Sequence, residues 1–187
     1  LTEQALDFSG KQLTNGDTIP LHTICHNPQI AFPPAIKQHF YQTGLLTLRF
    51  IPHAFWHNIT IAQQQAFTKM NFTISADSNR MGYKLTTKTT PVPLTLTTDK
   101  KTNLSKPITY GAIQLPSNNL PIILMKERQT IGGYPTLGTV MHSDLSRLSQ
   151  KRPGEKVCFV PISLAQAQQQ YLSFYQRFND QVKRSEF

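Results

Sequence analysis

Residues 129–135, Gln-Thr-Ile-Gly-Gly-Tyr-Pro, place two adjacent glycines, an aromatic and a proline between two apolar, strand-like runs. A single glycine closes most hairpins, because one positive φ is usually all the turn requires. A second glycine beside it implies a backbone that comes close to something, with Tyr134 held alongside. The stretch is therefore a site candidate. The competing reading is a tight barrel corner packed by Tyr134.

A second chemistry-bearing segment is Asp77-Ser78-Asn79-Arg80-Met81-Gly82-Tyr83. A polar turn delivers Arg80, then Gly82 and Tyr83, into a strand. The planar guanidinium of Arg80 suits bidentate contact with a carboxylate or phosphate. The alternative is that Arg80 pairs with Asp77 and ties the turn down. His53 and His57 lie four apart, a spacing that puts two imidazoles on one face of a helix and suits zinc. Pro52 and a helix cap at Thr60 argue against a helix across 53–57, and no third ligand lies nearby in sequence. Hydrogen-bonded or solvated histidines are expected instead, with no metal. The glycine-rich stretch lacks the Lys-Ser or Lys-Thr ending of a phosphate-binding P-loop, and no Gly-x-Ser-x-Gly elbow occurs. Cys158 sits in a strand pattern and reads as core. Composition and spacing name no self-sufficient active site.

The elements that must position these residues belong to a chain of 187 residues with 39% hydrophobic content, enough for one generous domain or one domain plus part of another. No apolar run approaches the roughly 20 residues of a membrane span. Two cysteines imply no disulfide framework and a cytoplasmic default. The net charge of +9 reflects only ten acids against 19 bases. The bases are dispersed, without a stripe interleaved with aromatics, so an anionic small substrate or acidic partner chain fits better than nucleic acid.

Along the chain, Asn15-Gly16 reads as a turn, residues 18–24 as a short strand and Pro33-Pro34 as the opening of a helical turn. Residues 45–50 form a strand. Thr60-x-x-Gln63 is a capping box for a helix ending near Lys69. Alternation around Phe72, Ile74, Leu94, Leu96, Ile113 and Leu115 predicts strands. Ser117-Asn118-Asn119 closes a hairpin whose asparagines accept left-handed φ. Ser143 caps a short helix that buries Leu145 and Leu148, and Pro153-Gly154 turns into a last strand. Ser163-x-x-Gln166 caps a C-terminal helix with Leu164, Tyr171, Tyr175, Phe178 and Val182 on one face. The expected fold is mainly β, a barrel with a few short helices and a C-terminal helix.

Six ordered motifs carry a resemblance: residues 78–85 (SNRMGYKL), 111–116 (GAIQLP), 121–125 (PIILM), 129–135 (QTIGGYP), 138–148 (GTVMHSDLSRL) and 152–157 (RPGEKV). Over residues 45–165 the chain resembles the allophanate-hydrolase-subunit-2 family. That family includes the C subunit of 5-oxoprolinase, the KipA antagonist protein and one half of the carboxyltransferase domain of urea carboxylase. The resemblance implies a cyclophilin-like β-barrel without prolyl isomerase activity. It divides the chain into residues 1–44, the remnant of a preceding N-terminal half with its linker, and residues 45–187, the barrel with its C-terminal helix. It also implies an obligate partner, the B subunit of 5-oxoprolinase or a KipI-like protein, with the functional cleft between the two chains. Two departures stand out: Ile51-Pro52-His53 lacks the glycine of the family's Gly-Pro-Gln or Gly-Pro-His segment, and Asn79 replaces the usual acidic residue before the arginine.

The function this implies is a subunit of an ATP-dependent 5-oxoprolinase, hydrolysing 5-oxo-L-proline to L-glutamate only with partner subunits A and B. The alternatives are a KipA-type regulatory protein and a urea-carboxylase-like carboxyltransferase half. In the first reading Arg80, Tyr83 and Tyr134 are the catalytic candidates. Arg80 would hold the substrate carboxylate, and the N–H groups of Gly132 and Gly133 would meet the oxyanion or phosphoryl group. Gln114, Gln129, Thr130 and His53 complete the substrate-binding set. ATP is expected for the complex as a whole, with no site placed in this chain.

Overall fold

The computed structural model describes residues 44–95 and 105–184, together with residues 14–16 and 18. Strand β1 (Leu46–Pro52) alternates as expected, with Leu46, Leu48 and Phe50 buried and Thr47, Arg49 and Ile51 on the other face. A single helical turn, α1 (Ala54–His57), follows directly. This corrects the expectation of no helix there. His53 stays extended at φ −104° and ψ 177°, so the turn starts after it, and Trp56 drops into the core. His53 is thus the cap of a four-residue helix rather than a member of its face.

Helix α2 (Ile61–Thr68) begins at the expected capping box, where Gln63 N–H donates to Thr60 Oγ1 at 3.2 Å and Thr60 N–H donates to Gln63 Oε1 at 3.0 Å. Then come β2 (Phe72–Ile74), β3 (Gly82–Thr86), β4 (Lys106–Pro107), β5 (Ala112–Gln114), β6 (Ile122–Leu124), β7 (Ile131–Gly132) and β8 (Thr136–Val140). The chain continues through α3 (His142–Leu148), β9 (Lys156–Pro161) and α4 (Leu164–Arg184). Seven strands close a barrel in the order β1-β8-β5-β6-β3-β2-β9, and the parallel β9–β1 pairing completes the ring. Strands β4 and β7 form a separate two-stranded ribbon. The mainly-β barrel with a C-terminal helix is the expected fold.

The barrel is filled by aromatic rings. Phe50 meets Trp56 edge-on at 5.1 Å between centroids, and Phe67 stacks on Phe159 at 5.3 Å. Phe50, Phe67, Phe72 and Phe159 are each at most 1% exposed, so they dominate the apolar area that stabilises the domain. The β5–β6 hairpin turns at Asn119 with φ 59°, the left-handed value an asparagine tolerates. Ser163 and Gln166 cap α4 reciprocally, at 2.9 and 3.2 Å.

Three local expectations need correction. Helix α3 starts two residues early, with Met141 rather than Ser143 as its cap, and Ser143 is buried inside its first turn without capping it. Cys158 is not core: Val157 and Phe159 point inward, which turns Cys158 outward to meet Thr47 Oγ1 at 3.6 Å. Leu94 is buried, yet residues 91–95 form no strand. Residue 96, residues 19–24 of the strand expected at 18–24 and the turn at Pro33-Pro34 lie outside the described residues.

Candidate functional site

The outer wall of the barrel is where several of the sequence candidates meet. Ile113 and Ile123 point into the main core, so their neighbours Ala112, Ile122 and Leu124 face outward, and Ile108 packs over them as a second small cluster. The β4–β7 ribbon covers this wall, with Lys106 opposite Gly132 and Pro107 opposite Ile131. A further bond, Ile108 N–H to the Thr130 carbonyl at 2.9 Å, extends the ribbon.

Gly132 answers the question raised by the double glycine. Its φ is not in the left-handed region. What it needs is room: a Cβ there would lie 2.3 Å from Ile108 Cδ1 and 2.8 Å from Gln114 Nε2. The backbone therefore does come close to something, and that something includes the Gln114 amide. Gln114 is only 1% exposed. Its Oε1 accepts from Gln129 Nε2 at 3.4 Å, while its Nε2 has no hydrogen-bond partner among the described residues. A buried amide donor left unpaired costs about 1–3 kcal/mol, so such a group is worth explaining.

His53 stands on the same wall at the end of β1. Its Nε2 lies 3.1 Å from Thr139 Oγ1, which in turn lies 3.4 Å from Thr109 Oγ1. Burial pushes the His53 pKa below its ordinary value, and the Lys106 ammonium pushes it further in the same direction. His53 is therefore a neutral imidazole near pH 7.

The remaining candidates lie apart from this group. Arg80 Nη2 pairs with Glu127 Oε1 at 3.1 Å rather than with Asp77, and the Arg80 carbonyl accepts from Glu127 N–H at 3.0 Å. The Arg80 side chain is 58% exposed. Tyr83 is half-buried, and burial followed by the nearby Tyr110 raises its hydroxyl pKa. Lys126 Nζ sits 4.8 Å from the Tyr110 ring centroid. Tyr134 is half-exposed beyond Gly133, next to Pro135, whose carbonyl accepts from Leu115 N–H at 2.9 Å. Thr130 is exposed and joins the wall through its carbonyl.

Sequence reasoning missed Lys106, Thr139 and a buried ion pair. Asp144, fully buried in α3, accepts from Arg49 of β1 and lies 3.7 Å from Arg147. The signal was present: an acid inside an otherwise buried helical turn, in a chain with few acids. A cleft of about 530 Å³ opens beside this pair, between the outer faces of β1 and β8 and helix α4, lined by Ile51, Tyr110, Thr139, Leu145, Leu164 and Tyr171 among others.

Residues 2–161 match the family model described as carboxyltransferase domain, subdomain A and B. The chain belongs to this carboxyltransferase-domain family. It is 33% identical over 160 residues to the C subunit of 5-oxoprolinase from Escherichia coli K12, covering 86% of this chain and 48% of that protein. The protein of the same name from Haemophilus influenzae is 33% identical over 122 residues, covering 64% of this chain and 37% of the relative. The chain thus spans less than half the length of these curated relatives. Among solved structures, TTHA0988 superposes with a TM-score of 0.59 at 24% identity over 81% of this chain and 27% of its own. Kluyveromyces lactis urea carboxylase gives 0.61 at 19% identity over 74% of this chain and 13% of its own. At these identities the two structures share the carboxyltransferase-domain fold with this chain.

Proposed function

We propose that this chain contributes to a subunit of an ATP-dependent 5-oxoprolinase complex, which opens the lactam of 5-oxo-L-proline to give L-glutamate. The observation that carries the reading is the 33% identity to the C subunit of a 5-oxoprolinase across 86% of the chain. The complex would include partner subunits A and B, and the reaction would be cytoplasmic.

Lactam opening requires an activated carbonyl, and ATP would supply that activation by phosphoryl transfer to the carbonyl oxygen. We assign ATP to no residue of this chain. The chain's own residues would bind and orient the ring. A lactam offers one N–H donor and one C=O acceptor, and the Gln114–Gln129 amide pair offers the complementary set. The N–H groups of Gly132 and Gly133 would face the oxygen that gains charge, with Tyr134 as the wall. The unpartnered Gln114 Nε2 beside Gly132 supports this placement. The ribbon above it has two residues per strand, and Pro107 brings no N–H, so few bonds oppose its opening. Tyr83 and the Arg80–Glu127 pair would form the rim of the site.

The test is glutamate formation from 5-oxo-L-proline and ATP by the assembled complex. The reading expects glutamate only when this chain is present, and an unchanged rate on its omission would refute it.

A further inference from the structure

We propose that the cleft between α4 and the outer faces of β1 and β8 is a docking groove for an acidic amphipathic helix of a partner subunit. That the partner belongs to a 5-oxoprolinase complex rests on the function proposed above. The groove and the chemistry of its occupant do not.

The first argument is the face that α4 leaves open. Ala167 is 5% exposed and Gln170 accepts from Arg49 Nη1, so this side of the helix lies on the barrel. At about 100° per residue, Leu164, Gln168, Tyr171, Leu172 and Tyr175 form one stripe on a neighbouring side. Leu164 and Leu172 are 58% and 60% exposed, and Tyr171 and Tyr175 are exposed as well. Leu164, Tyr171 and Leu172 line the cleft opposite Ile51 and Leu145. Leucines this open beside a cleft of about 530 Å³ gain from being covered by another apolar surface.

The second argument is length. From Leu164 to Tyr175 the stripe runs about three turns, or about 16 Å along the helix axis. Tyr175 lies beyond the residues that line the cleft, so the apolar surface outruns a small ligand. It matches a groove that an amphipathic helix fills with apolar anchors spaced at i, i+3 or i+4, and i+7.

The third argument is charge. Tyr110, part of the cleft wall, has Lys126 Nζ at 4.8 Å and Arg128 Cζ at 6.0 Å from its ring centroid. Arg128 Nε donates to the Ile108 carbonyl at 3.3 Å, and among the described residues neither cation belongs to an ion pair. Glu127, between them in sequence, is held by Arg80. No carboxylate of the described residues lines the cleft. The Tyr110 end of the groove therefore calls for acidic residues beside the partner's apolar anchors. A second copy of this chain is the poorer occupant, since each copy carries a net charge of +9 and the two repel.

The test is photocrosslinking in the purified complex of the full chain with its partner subunits, with p-benzoylphenylalanine in place of Leu172. The expected product joins position 172 to a helix of another subunit that carries Asp or Glu beside its apolar residues. Leu172→Glu and Lys126→Glu should each weaken association about tenfold or more by sedimentation, at unchanged thermal stability of the chain. Added salt should weaken association of the wild type more than that of Lys126→Glu. A cross-link within the chain or to a second copy, the absence of any cross-link, or variants that associate like wild type would overturn the groove, even if glutamate forms at the normal rate. A cross-link to an acidic partner helix without glutamate formation from 5-oxoproline would keep the groove and refute the functional reading instead.

Discussion

Arg49 meets the buried carboxylate of Asp144 through its backbone N–H at 2.9 Å, its Nε at 2.8 Å and its Nη2 at 2.5 Å. The same guanidinium donates to Gln170 Oε1 through Nη1 and lies 3.4 Å from Ser143 Oγ. One side chain thus ties barrel strand β1 to α3 and α4, the two helices that border the cleft. The hydrogen bond to Asp144, and secondarily its charge, raise the Arg49 pKa above its ordinary value, with burial opposing both.

Removing Asp144 leaves the guanidinium of Arg49 partly buried with its main partner gone. Breaking a buried pair from one side typically costs about 3–5 kcal/mol. Asp144→Ala should therefore lower the denaturation midpoint sharply, and Arg49→Lys should also destabilise, because a single ammonium cannot reproduce the fork. Urea denaturation of both variants measures this, and a loss below about 1 kcal/mol for Asp144→Ala would mean the pair is not a structural tie.

Gly132→Ala places a methyl group 2.3 Å from Ile108 Cδ1. Overpacking of this kind costs about 1–3 kcal/mol. Ile108→Val removes the Cδ1 atom, so the double variant should recover part of the loss, a coupling that a double-mutant cycle reads directly. Additive losses would show that the ribbon gives way elsewhere.

The His53 pKa lies below 6.5 in the folded chain because of burial and then Lys106. The unfolded chain therefore binds protons first on acidification. This contribution to stability is complete above pH 6.5 and is lost as pH falls through 6.5 toward the folded value. Glu155, its pKa lowered mainly by its bond to Lys151, loses its contribution only as pH falls below 4.5. Between about pH 5 and 7.5, His53→Gln should show a flatter stability profile than wild type. Equal slopes by urea denaturation would remove His53 as the source.

Arg80→Ala separates an exposed ion pair from a substrate contact. Exposed pairs contribute about 0–1 kcal/mol, so stability should barely change. With the Arg80 guanidinium already paired to Glu127 and mostly in water, the KM for 5-oxoproline should stay within a few-fold of wild type in the assembled complex. A rise in KM of about tenfold or more would give the carboxylate contact to Arg80.

What was legible in the sequence was local. The capping boxes at Thr60/Gln63 and Ser163/Gln166, the left-handed Asn119 and the Pro153-Gly154 turn depend on residues within a few positions of one another. The barrel came from strand patterning and from the ordered motifs. The site residues depend on distance. Arg49 and Asp144 are 95 positions apart, and His53 and Thr139 are 86 apart. No periodicity encodes such pairings. The crowding at Gly132 was foreseen as close approach, but its neighbours, Ile108 and Gln114, are set by how the ribbon folds onto the wall. Cys158 was misplaced for a simpler reason: the inward residues of β9 are its neighbours on either side.

The most direct test is ATP hydrolysis by the purified complex of this chain with its partner subunits, measured as phosphate released on adding 5-oxo-L-proline. The account predicts phosphate release that requires 5-oxoproline, keeps pace with glutamate formation and disappears when the chain is omitted. Phosphate release indifferent to 5-oxoproline, or to the presence of this chain, would contradict it.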